Sequence, residues 1–136
     1  MTSPSLTLPA LDVAGAAERL KKVVTRTPLA YSHNLSRRYG ATVLLKREDL
    51  QVVRSYKLRG AYNMISSLPQ EQLERGVVCA SAGNHAQGFA YSCRKKGIHG
   101  VVFMPIITPQ SGFGASLVMM LSPTGERHNS PKVITK

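Results

Sequence analysis

Apolar residues recur in the first part of the chain with the period of a helix. Val13, Ala16, Ala17, Leu20, Val23 and Val24 share one face, which predicts a helix over residues 13–24. Asp12 stands where an N-cap belongs, and Lys21 and Lys22 lie near the negative C-terminal end. Thr27 and Pro28 break this pattern. A second helical stretch, residues 34–39, has Ser32 as its candidate cap and Gly40 as its stop. Residues 42–46 (TVLLK) then read as a strand, 55–67 as a helix, 77–80 as a strand, 84–96 as a helix ended by Gly97, and 101–104 as a strand. The strands are apolar without strict in-out alternation, the pattern of a sheet covered on both faces. The expected class is therefore α/β with a parallel sheet.

The alternation fails further along. A crossover helix should follow the strand at 101–104, yet residues 111–136 hold two early glycines, Gly112 and Gly114, one short apolar run at 117–121, and a polar end. Residues 1–11 are rich in Pro, Ser and Thr and offer little apolar surface to offset the entropy of ordering them. The expected organisation is a flexible N-terminus over 1–11, an α/β unit over 12–110 and a divergent tail over 111–136.

Composition narrows the class. A hydrophobic content of 43% suits an ordinary core, and no apolar run approaches the roughly 18 residues of a membrane span. The start lacks a basic stretch followed by an apolar one, so a cytoplasmic protein with no membrane partner is expected. Cys79 and Cys93 cannot build a disulfide framework and read as small core hydrophobes; their spacing with His85 and His99 misses the CxxC signature, so no metal is expected. The net charge of +11 raises the question of nucleic acid. The basic residues, however, fall in short scattered clusters that do not interleave with aromatics, and no specific nucleic-acid partner is expected.

Two segments carry chemistry. Ser55, Tyr56, Lys57, Leu58, Arg59, Gly60 and Ala61 sit where a loop enters a helix, with Lys57 in the first turn. The positive end of the helix dipole, with Arg54 and Arg59 nearby in sequence, favours a nucleophilic amine able to form a Schiff base. A lone lysine at a helix start is ordinarily a solvated surface group, so this segment by itself decides nothing. The second segment, SAGNHAQG at residues 81–88, leaves the carboxyl end of an apolar strand and opens a helix. Parallel sheets bind ligands at that edge, and a turn of small residues can present backbone N–H groups to a carboxylate or phosphate. Alone, it also reads as a plain strand-to-helix turn with Asn84 as N-cap.

Taken with KREDLQ at residues 46–51 and MPxxTPQ at 104–110, the segments RSYKLRGAYN and SAGNHAQG resemble the threonine ammonia-lyases (threonine dehydratases), members of the fold-type II family of pyridoxal-phosphate enzymes. The resemblance spans roughly residues 27–110, and its first two motifs look more like the biosynthetic, isoleucine-pathway type than the catabolic one. Cysteine synthases and threonine synthases usually carry SxKDR and a GNT loop, which this chain lacks. The resemblance implies a partial, truncated form of the three-layer parallel-sheet architecture typified by the tryptophan synthase β-subunit, with pyridoxal 5'-phosphate as cofactor. It further implies a homo-oligomeric family that deaminates threonine to 2-oxobutanoate and ammonia and also accepts serine. Lys57 would carry the cofactor, Asn84 would meet its ring hydroxyl, and Tyr56 would pack beside it. Ser81, Ala82, Gly83, Asn84 and His85 would hold the substrate carboxylate.

Tyr56 stands where the family often has Phe. The family's glycine-rich loop for the cofactor phosphate, its polar residue facing the pyridine nitrogen and its regulatory domain lie further along, and nothing after Gln110 matches them. The expectation is the front part of such an enzyme, joined to an unrelated tail by a frameshift or premature stop and catalytically incompetent on its own. A serine dehydratase or serine racemase type, and a non-catalytic remnant, are the alternative readings.

Overall fold

Asp12 accepts a hydrogen bond from the Gly15 N–H at 2.8 Å, which caps α1 (Val13–Leu20). A computed structural model of the chain describes residues 11–104, 118–121 and 127–128. The expectations for residues 1–10, for the MPxxTPQ motif beyond Met104 and for Gly112 and Gly114 lie outside them. Helix α1 stops four residues short of the predicted 13–24, and residues 21–24 continue as a turn in which Val23 N and Val24 N both donate to Leu20 O. Thr25 donates its N–H to Gln51 Oε1 at 3.0 Å and accepts from Gln51 Nε2 at 2.8 Å, which draws the chain out of the helix.

Helix α2 (His33–Tyr39) has the cap and stop read from sequence. Ser32 Oγ accepts from the Leu35 N–H, and Gly40 adopts φ 60°, the left-handed conformation that costs glycine nothing. Strands β1 (Leu29–Tyr31) and β2 (Leu44–Lys46) flank it as an antiparallel pair, Leu29 opposite Lys46 and Tyr31 opposite Leu44. The ladder continues at both ends, with Arg47 N donating to Pro28 O and Ser32 N to Val43 O. The TVLLK strand therefore does not join the parallel sheet. Its partner, three residues long, shows no periodicity of its own.

The main sheet runs β3 (Val77–Ala80), β4 (Gly100–Phe103), β5 (Val118–Leu121), β6 (Arg127–His128). Among the described strands only β3 and β4 are parallel, in the register Val77 to Gly100 and Ala80 to Phe103, joined by the crossover helix α5 (Asn84–Lys96). Strand β5 runs antiparallel to β4, and β6 antiparallel to β5. Helices α3 (Lys57–Ser67) and α4 (Gln70–Glu74) precede the sheet. Ile65 of α3, Leu73 of α4, Ala86, Phe89 and Cys93 of α5, and Val102 of β4 form one buried cluster with Met104. Each large side chain fully buried there is worth about 1.5–3 kcal/mol. The opposite face of β3 and β4 is open, with Val78 64% and Phe103 41% exposed, so the described sheet is covered on one face and not on both. Cys79 is half-buried and not fully so; Cys93 is buried, and burial with Cys79 beside it pushes its thiol up to about 12, which keeps it neutral.

Candidate functional site

Lys57 is the first residue of α3, with Tyr56 before it as N-cap. Its side chain is exposed, and Nζ lies 5.0 Å from the centroid of the Tyr56 ring, a cation–π arrangement. The backbone beneath is closely packed. A Cβ at Gly88 of α5 would meet Leu58 N at 3.0 Å and Lys57 C and O at 3.1 Å, so only glycine lets the two helices approach this closely. Asn84 lies one turn before Gly88 on the same face of α5. The two sequence segments, read separately, thus meet at the starts of α3 and α5.

Between β3 and α5 the chain keeps the strand direction for one residue, with Ser81 N donating to Phe103 O at 3.0 Å. Gly83 N then donates to Ser81 Oγ at 3.4 Å. Gly83 is the N-cap, and Asn84 is already helical, which corrects the reading of Asn84 as cap. Without a capping side chain, the N–H groups of the exposed residues Asn84 and His85 in the first turn are open to an anion, whereas Ala86 behind them is buried. Ser81 is half-buried, whereas Ala82, Gly83, Asn84 and His85 are exposed.

Arg59 does not act as a second cation beside Lys57. Its guanidinium forks onto Glu48, Nε to Oε2 at 2.8 Å and Nη2 to Oε1 at 2.9 Å. Glu48 also accepts from Thr27 Oγ1 at 2.6 Å and from Gln51 Nε2 at 3.3 Å. Arg59 above all, with help from Thr27 and Gln51, outweighs burial and holds this carboxyl down at about 2. The motif KREDLQ thus supplies a structural carboxylate to which the sequence pattern alone assigns no role.

The residues present fit the reactive end of a pyridoxal cofactor and an amino-acid carboxylate. Lys57 offers a primary amine that forms no ion pair among the described residues. Ser55 Oγ, two residues before it, is buried without a hydrogen-bond partner. The first turn of α5 supplies uncapped amides. Among the described residues no three His, Cys, Asp or Glu gather as metal ligands, and no helix is long and apolar enough to cross a membrane.

Comparison with known proteins gives a consistent result. The model of the family described as pyridoxal-phosphate dependent enzyme matches residues 20–125, a span that runs on past Gln110. The biosynthetic L-threonine dehydratase IlvA of Mycobacterium tuberculosis is 60% identical over 109 residues, covering 80% of this chain and 25% of that one. Among solved structures, the processed form of threonine deaminase isoform 2 from Solanum lycopersicum aligns with a TM-score of 0.61 and 36% identity, over 79% of this chain and 35% of that one. Maize serine racemase aligns with a TM-score of 0.69 and 34% identity, over 75% and 32%. The chain spans about a quarter of the length of the curated relatives it matches, and its fold is a partial fold-type II domain of mixed α/β type.

Proposed function

The chain belongs to the pyridoxal-phosphate dependent enzymes, and from that premise we propose that it carries the cofactor lysine and the carboxylate-binding loop of a threonine-deaminating site. The observation that carries this reading is the close approach of Gly88 to the backbone of Lys57, which sets the SAGNHAQG segment beside the lysine. Similarity to biosynthetic threonine dehydratases supports threonine as the substrate.

In this reading Lys57 would hold the cofactor, and its amine, once displaced by the amine of the substrate, would take the α-proton. Asn84 meets the ring hydroxyl, and Tyr56 packs beside the ring. Backbone N–H groups and short side chains of Ser81, Ala82, Gly83, Asn84 and His85 hold the carboxylate, which fixes the α C–H in one orientation. When bound, the cofactor supplies an electron sink. Residues 12–110 are the part of the chain to which these roles belong. The likeness to maize serine racemase favours a second reading, serine as the substrate of the same groups.

The chain is treated with pyridoxal phosphate and borohydride, and the fixed cofactor is mapped to a peptide. Attachment at Lys57 that is lost in Lys57→Ala is expected, and attachment elsewhere alone would overturn the assignment. In a separate sample given pyridoxal phosphate without borohydride, threonine and serine are offered as substrates: 2-oxobutanoate from threonine supports the first reading, and racemised serine or pyruvate alone supports the second. Turnover by the 136-residue chain is expected to be very low, because Lys57, Asn84 and His85 are exposed and water is not excluded from the reacting groups. Threonine amide should compete poorly with threonine, and equal binding of the two would remove the carboxylate role from residues 81–85.

A further inference from the structure

The motif KREDLQ makes no hydrogen bond to Lys57 or to the loop at 81–85 among the described residues, yet Glu48 within it has more hydrogen-bond partners than any other described side chain. Glu48 accepts from both ends of one segment, Gln51 before Lys57 and Arg59 after it. Gln51 is only 1% exposed, and its amide is tied in turn to both backbone groups of Thr25. Thr27, 3% exposed, fixes the carboxylate from a third direction. The Lys46 ammonium donates to the Thr27 carbonyl, so β2 joins the same network.

The segment held between these anchors is not relaxed. Arg54 adopts φ 56°, the left-handed region that a non-glycine residue enters at a cost, and its N–H donates to Gln51 O at 2.8 Å. Such a conformation persists only where neighbouring contacts over-determine it. On the far side, Lys57 and Leu58 rest against Gly88. The lysine backbone is thus gripped between a charged clamp on one side and α5 on the other.

We propose that Glu48 is a positioning residue for Lys57: by bonding Gln51 and Arg59 at once, it closes residues 51–59 into a clamped loop that aims the lysine at the start of α5. This rests on the assignment of Lys57 as the cofactor lysine. The clamp itself is a property of the chain without any ligand, so the two can fail separately. A single donor in place of Arg59 would keep the charge but lose the fork that sets direction.

The test uses the full 136-residue chain and the variants Glu48→Gln, Arg59→Met and Arg59→Lys. Amide hydrogen exchange is followed at residues 52–57 and, as reference, in β4 and α5. Borohydride-fixed pyridoxal phosphate on Lys57 is measured relative to the exposed Lys95 and Lys96. Glu48→Gln and Arg59→Met should speed exchange at 52–57 by about tenfold, the scale expected when a charged hydrogen bond that guards a local opening is lost. The share of label on Lys57 should fall by about tenfold or more, since small misplacements of a reacting group are costly. Exchange in β4 and α5 should be unchanged, and Arg59→Lys should recover part of the label. Unchanged exchange at 52–57 overturns the proposal, as does an equal rise throughout the chain, which would reduce Glu48 to a general stabiliser. If Glu48→Gln does not fold, Thr27→Val removes one bond to the same carboxylate and is read by the same criteria. A wild-type chain that takes no label on Lys57 would sink the cofactor assignment, while the exchange measurement still decides the clamp.

Discussion

A carboxylate that accepts from a guanidinium, a hydroxyl and an amide at once stays ionised far into acid, and this gives Glu48 a signature in the stability of the chain. Its folded-state pKa is about 2 against an ordinary 4.5, lowered first by Arg59. The native form therefore binds a proton less readily than the unfolded one, so the contribution is fully present above pH 4.5 and is lost as pH falls through that value toward 2. Urea midpoints measured from neutral pH down to about pH 3 should drop more steeply for the wild type than for Glu48→Gln, whose curve lacks this group. Parallel curves would show that Glu48 is not held in this way. Local chemistry was legible from sequence: Asp12, Ser32, Gly40 and Gly97 end their helices as read, because a cap involves only residues within a turn. The pairing of Glu48 with Arg59 was not legible, since it depends on where the chain places two segments eleven residues apart.

Helices α3 and α5 present a matched pair of glycines that separates close approach from mere flexibility. A Cβ at Gly88 would sit 3.0–3.1 Å from the backbone of Lys57 and Leu58, where neither helix can yield without moving the other. Gly88→Ala should cost about 1–3 kcal/mol by overpacking. It should also lower labelling of Lys57, because the start of α3 is what must shift. Gly60, on the exposed side of α3, has nothing within 4 Å of its Cβ position, so Gly60→Ala should stabilise the chain by about 0.5–1 kcal/mol. Urea denaturation of both variants checks the opposite signs; the same sign for the two would remove the packing argument. The long elements were predictable to within a few residues because their apolar period extends over several turns: α5 matches its expected bounds, and α3 begins two residues late. Short elements carried no such signal. β1 has three residues, and α4 has five, announced only by Pro69 at its N-cap and Glu71 in its first turn.

The sheet as a whole shows where reading strand by strand runs out. Apolar content without alternation in VVCA and VVFM implied cover on both faces, and the structure supplies it on one, through α3, α4 and α5. Alternate residues of β3 point the other way, leaving Val78 64% exposed on the same face as Phe103, which lies opposite Ala80 and is 41% exposed. Composition cannot reveal this asymmetry, because the residues are apolar whether or not anything packs on them. Strand β3 is also an edge in the described sheet, so an open apolar face adjoins a row of unpaired backbone groups. Such a combination favours association, by face-to-face burial or by strand addition. The purified chain should therefore sediment as a concentration-dependent mixture across the micromolar range. Val78→Lys, which places a charge on that face without touching the buried cluster, should shift the mixture toward monomer and change folding stability by no more than about 0.5 kcal/mol. A strictly monomeric wild type, or a Val78→Lys variant that associates as before, would show that this face does not drive association.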